Sequence, residues 1–167
     1  MKICGTIGGS MSMNSRQEEQ QIIFESLKIA LFKLMKKEPF NSITISELVK
    51  TAGIARSTFY RHYDDKISFV RALIQSEMDQ FDSVYQPQTI EERFEDKYIN
   101  EVWHALLGNK AQIEGLMKAG LSHIYLEEFN HHLLKLFPYS MTIEEKIHLY
   151  GLAGAQYNII FNLYDHI

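Results

Sequence analysis

Between Thr44 and Tyr63 the chain places two helical segments and a glycine turn within twenty residues, a compression that few arrangements other than a small helical bundle accommodate. Thr44 and Glu47 have the spacing of a capping box. Ile45, Leu48, Val49 and Ala52 fall at i, i+3, i+4 and i+7, so a short helix with one apolar stripe is expected to stop at Gly53. A further helix is predicted from Ala55 to Tyr63, opened by an alanine that caps less well than a serine by about 1 kcal/mol. On a wheel stepped from Arg56, Phe59 and Tyr63 share the face turned toward the preceding helices, and Ser57, Thr58 and Arg61 occupy the other. A guanidinium and two hydroxyls projecting from such a helix are the groups that read base edges in a major groove. Arg56, at the helix start, sits where recognition helices direct their first side chains. Tyr60 and His62 on the flanks suit phosphates, as do Lys66 and the open amides at the starts of the second and fourth helices.

The surrounding sequence completes an all-α fold. Ile23, Leu27, Ala30, Leu31 and Leu34 recur at helical spacing and predict a first helix over Glu18 to Lys37, ended before Pro39, after which Phe40 and Ile43 pin the connection to the core. Asp64 is expected to cap a fourth helix from Asp65 to Phe81, with Ile67, Val70, Leu73, Ile74 and Met78 inward. Gln86, Pro87 and Gln88 mark a break. Helices are then expected over Ile90 to Leu107, Lys110 to Lys118, Ser122 to Phe137 and Ile143 to Asp165, the last opened by Thr142 and Glu145 in a second capping box. No segment alternates as a strand does. The glycine- and serine-rich leader lacks a helical period, and Met11 and Met13 are alternative starts. The expected organisation is therefore a disordered arm over 1–15, a three-helix head over 16–66 with a helix-turn-helix, and a helical body over 67–167 joined to it by the fourth helix.

Charge is divided along the chain. From Ser15 to Gln75 ten lysines and arginines face seven acids, a net of +3, and from Ser76 onward six face fourteen, a net of −8. A modestly basic head on an acidic body attracts phosphates locally without coating nucleic acid indiscriminately. Cys4 is the only cysteine, which rules out an intrachain disulfide and fits a reducing compartment, so a cytoplasmic location is expected. No stretch is apolar enough to span a bilayer. His104, His123, His131, His132 and His148 include no i, i+4 pair, so no metal site is predicted, nor any cofactor. No nucleophile elbow or metalloprotease pair occurs, and Gly120-Leu121-Ser122-His123 lacks the second glycine of such an elbow, so catalysis is not expected.

The succession Ile43-Thr44-Ile45, Ala52-Gly53-Ile54, Ser57-Thr58-Phe59-Tyr60-Arg61-His62-Tyr63 and Asp65-Lys66 resembles the DNA-binding head of the tetracycline-repressor (TetR) family of bacterial transcription regulators, over about Gln20 to Leu73. The resemblance implies phosphate contacts from Thr44, Ser46, Tyr60, His62 and Lys66, and base reading by Arg56, Ser57, Thr58 and Arg61. It also implies a homodimer on a near-palindromic operator, acting as a repressor and released by a small-molecule effector. The alternative is a body that binds a partner protein in place of a metabolite.

In the body, Gly151 and Gly154 interrupt a long apolar helix at a cost of roughly 0.5–1 kcal/mol each, so close packing is expected there. Ile147, Gly151, Gly154, Ala155 and Ile159 are the candidate dimer contacts. In the resembled family the last two long helices form a four-helix bundle with the partner. This sequence ends at Ile167, about where one of those two finishes, so either the body uses a different interface or the chain is shortened, and both dimer geometries stay open. Tyr98, Trp103, Met117, Tyr125, Phe129 and Tyr157 are the candidate lining of an effector pocket, although such residues at helical spacing also serve as plain core.

Overall fold

The computed structural model describes residues 10–85, 87–89, 91–137 and 140–162, with the side chains of 10–14, 106 and 107 left aside. Within them lie eight α-helices, a 3-10 turn and no strand. The helices are α1 (Ser10–Met35), α2 (Ile45–Ala52), α3 (Arg56–His62), α4 (Lys66–Val84), α5 (Asp96–Gly108), α6 (Lys110–Lys118), α7 (Ser122–Leu136) and α8 (Ile143–Asn162), with the 3-10 turn at Glu91–Phe94. They form two compact units, one ending at His62 and the other beginning at Tyr63.

In the first unit α1 packs on α2 and α2 on α3. Leu27, Ala30 and Leu31 of α1 meet a core that includes Phe40, Ile43, Leu48 and Phe59, all nearly inaccessible to water. Burying Phe59 completely contributes about 1.5–3 kcal/mol and fixes which side of α3 faces inward. Helix α2 is bounded as its sequence dictates. The Thr44 hydroxyl accepts from the Glu47 amide at 3.1 Å, the Glu47 carboxylate accepts from the Thr44 amide at 2.8 Å, and Gly53 closes the helix at φ 72°.

The second unit is built on α4 against α7 and α7 against α8, with α6 also touching α5 and α8. Met78, Ile74, Leu73, Val70 and Phe69 of α4 are buried, as are Ile124, Phe129 and Leu133 of α7 and Leu149, Leu152 and Ile160 of α8. The second capping box forms at Thr142 and Glu145, with amide bonds of 2.7 and 3.2 Å.

Four expectations are corrected. Helix α1 begins at Ser10, so residues 10–15 of the expected arm are helical, while 1–9 lie outside the described residues. The segment from Ser10 to Met35 contains neither glycine nor proline, and residues 15–22 are exposed, so helix continues there without any core to impose an apolar period. The expected helix over Ile90 to Leu107 is instead a 3-10 turn followed by α5. Burial of the Arg93 side chain accompanies that break, a tertiary demand with no local signature. Asp65 caps α4, not Asp64, because its carboxylate is the one three residues from Ser68, whose amide donates to it at 2.7 Å. Tyr63 lies beyond the end of α3, belongs with the second unit and meets the Phe69 ring edge-on at 4.9 Å, so it is not part of the inward face of α3. The predicted end of the last helix, residues 163–165, lies outside the described residues.

Candidate nucleic-acid interface

Helix α3 is too short to be stable alone, and its orientation comes from the buried Phe59 anchor and the tight Gly53 turn that brings it back against α2. With Phe59 inward, Arg56, Ser57, Tyr60 and Arg61 are exposed, whereas Thr58 and His62 are half-buried. Thr58 therefore projects less than its wheel position suggests, and Tyr60, at 45% exposure, projects more.

Arg56 is not extended into solvent. Its Nη1 donates to the Ser46 hydroxyl at 3.2 Å and its Nη2 to the Tyr60 hydroxyl at 3.3 Å, with the guanidinium carbon 5.5 Å from the Tyr60 ring centroid. The sequence reading assigned Ser46 and Tyr60 to phosphates and Arg56 to a base; the structure gathers all three into one polar cluster across α2 and α3. The Thr44 hydroxyl is engaged in the cap, donating to Glu47 at 2.6 Å and accepting from its amide. Lys66 is the first residue of α4, in the second unit.

The six residues considered for an effector pocket fall into more than one setting. Met117, Tyr125 and Tyr157 pack on Ile113, Ile160 and Phe161. Phe129 stacks near Tyr125 at 6.1 Å, and the Tyr125 and Tyr157 rings lie 5.3 and 5.0 Å from that of Phe161. Tyr98 instead accepts a 2.6 Å hydrogen bond from Arg93 and meets Phe81 edge-on. Burial pushes the Tyr98 hydroxyl up to about 12, against a lowering by Arg93 and a further rise from Asp82. Burial also raises Tyr125 strongly, with Tyr98 and Glu77 adding to it. Trp103 is half-buried on α5.

A polar seam between α4 and α7 is an arrangement not anticipated from the sequence. Arg71 pairs with Glu127 at 2.6 Å and with the buried Glu128 at 2.5 Å, and Gln75 also donates to Glu128. Burial raises the Glu128 carboxyl, yet hydrogen bonds from Arg71 and Gln75, helped by the charges of Arg71 and His131, bring it below its ordinary value. Farther along, His132 lies between Asp82, at 2.7 Å, and Asp79, at 3.7 Å; Asp82 also lies 3.8 Å from Arg93. Arg93 is 1% exposed and its Nε has no partner among the described residues. A signal was present: Arg71, Gln75, Asp79 and Asp82 recur at helical spacing down one side of α4. Among the described residues no group of three or more histidine, cysteine or acidic side chains is placed to hold a metal ion. No helix of the described residues is long and apolar enough to cross a membrane.

Residues 30–73, which span the end of α1, all of α2 and α3 and the start of α4, match the family model of bacterial regulatory proteins, tetR family. The head is thus similar to that of the TetR family. A head of this kind implies a DNA-binding transcription regulator. Among solved structures it is similar to Lin0861 from Listeria innocua, with a TM-score of 0.69 at 16% identity, covering 98% of this chain and 84% of that one. This likeness extends the shared fold beyond the TetR-type head into the body. No curated protein matches the chain.

Proposed function

We propose that this TetR-type regulator is a cytoplasmic, non-enzymatic repressor that binds a near-palindromic operator as a homodimer, with two copies of α3 in successive major grooves about 34 Å apart. The observation that carries the reading is α3 itself: Phe59 is fully buried while Ser57 and Arg61 face solvent from the same two turns. Ser57, Thr58 and Arg61 are the base-reading groups, and Thr44, Ser46, Tyr60, His62 and Lys66 hold the backbone.

The dimer reading is supported by α8. Ile143, Ile147 and Tyr150 are 79%, 63% and 50% exposed, and Gly151 and Ala155 continue that exposed face, with Gly154 and Ile159 half-buried beside it. A Cβ built on Gly151 or Gly154 meets no described atom within 4 Å. Packing among the described residues therefore does not explain these two glycines, whereas close approach of a second helix does. An effector that favours a different spacing of the heads would lower operator affinity, by five- to 150-fold for a coupling of about 1–3 kcal/mol.

The second reading, a body that takes a partner protein, is favoured by one observation: Met117, Tyr125 and Tyr157 fill space against their own core. The deciding experiment is a gel shift with the DNA flanking the chain's own coding region, repeated with metabolites and with partner proteins captured by the body. A shifted inverted repeat released by one compound establishes the effector reading. Failure to shift any fragment or any duplex selected from random sequence refutes DNA binding by this chain.

A further inference from the structure

We propose that Ser46, Arg56 and Tyr60 form one clamp for a single DNA backbone phosphate, so that Arg56 holds the backbone and does not read a base. The inference rests on the DNA-binding reading above and narrows the roles within its surface. The guanidinium bridges two helices, donating to Ser46 Oγ on α2 at 3.2 Å and to Tyr60 Oη one turn along α3 at 3.3 Å. Its carbon also lies 5.5 Å from the centroid of the Tyr60 ring. The side chain thus lies back toward α2 with its fork already engaged by hydroxyl oxygens.

What remains open on the cluster suits an anion. Arginine carries five N–H donors, of which these bonds use two, and each hydroxyl that accepts from it keeps its own proton to donate elsewhere. All three residues are exposed, so the remaining donors are within reach of a ligand on the surface. The neighbouring carboxylate, Glu47, has one oxygen occupied by the amide and hydroxyl of Thr44, at 2.8 and 2.6 Å. A phosphodiester offers two unesterified oxygens and one negative charge, which matches a cationic fork flanked by two hydroxyl donors. To reach a guanine, Arg56 would have to leave both hydroxyls and the ring. Ser57 and Arg61 carry no such tether among the hydrogen bonds described, and they retain the base-reading role.

The test uses the full-length chain and a duplex that the wild-type protein selects from a random-sequence pool. Binding of that duplex, and of its single-base-pair variants, is measured over a range of salt for Arg56→Ala, Tyr60→Phe and Arg61→Ala, each checked for wild-type melting. Arg56→Ala is expected to weaken every duplex by the same factor, roughly tenfold, and to reduce the salt slope by about one phosphate, leaving the ranking of sequences intact. Tyr60→Phe keeps the ring and loses the hydroxyl, and a smaller uniform loss is expected. Arg61→Ala should flatten the ranking. A wild-type slope for Arg56→Ala, with discrimination lost at one base pair, overturns the clamp while leaving DNA binding standing. If the wild-type protein selects no duplex, the broader reading fails and the clamp with it.

Discussion

Replacing Arg71 by alanine tests the polar seam of the body directly. Glu128 is 3% exposed and is held ionised by Arg71 and Gln75, so the variant leaves a buried carboxylate with one neutral donor. Removing one partner of a fully buried pair costs about 3–5 kcal/mol. Arg71 is itself 36% exposed, so water relieves part of that loss, and loss of the half-exposed Glu127 contact adds little. The expected cost is therefore about 2–3 kcal/mol, or about 4–12 °C in melting temperature for a chain of this size. Trp103 is the only tryptophan and lies in the second unit, so its fluorescence during urea unfolding reports on the body. The pH dependence has a definite sign. Because the folded Glu128 carboxyl lies below its ordinary 4.5, its contribution is present above that value and is lost as pH falls through the folded one. Without Arg71, burial dominates and the folded carboxyl moves upward, so the gap between variant and wild type should narrow on acidification. Arg71→Met with Glu128→Met should recover most of the loss. A single variant within about 0.5 kcal/mol of wild type, or a deficit independent of pH, refutes the reasoning.

Three further predictions concern other parts of the chain. Tyr98→Phe removes the acceptor of the buried Arg93 fork and should cost about 1–3 kcal/mol in urea unfolding. Since the folded hydroxyl is pushed up to about 12 from 10.0, wild type loses this contribution as pH rises between those values and the gap to the variant closes. Thr44→Ala opens the α2 capping box at about 1 kcal/mol, and Gly53→Ala, at φ 72°, costs a similar or larger amount; thermal melting followed by circular dichroism measures both. Ile147→Glu should leave melting of the separate subunit within about 0.5 kcal/mol and make the protein monomeric by sedimentation equilibrium. Gly151→Ala should raise helix stability by about 0.5–1 kcal/mol while weakening self-association, and unchanged association in both variants argues against an α8 interface.

Much of the head was legible because its determinants are local. Thr44, Glu47 and Gly53 act within one or two turns, and the inward position of Phe59 follows from periodicity. The tether of Arg56 to Ser46 was not legible, since it joins residues ten apart across a turn whose angle periodicity does not specify. In the body, the helices from Lys110 onward were legible from their breaks and caps, but the partners of their polar residues were not.

By itself, then, the amino-acid order determined an all-helical chain with a helix-turn-helix, because helix periods, capping boxes and a left-handed glycine are settled among near neighbours. Tertiary structure alone decided that Arg93 is buried, that His132 lies against Asp79 and Asp82, and that Glu128 is held by Arg71 and Gln75. The last two rest on contacts made across fifty or more residues. Their strength depends on how completely water is excluded between α4 and α7, a property of the packed helices and not of either segment alone.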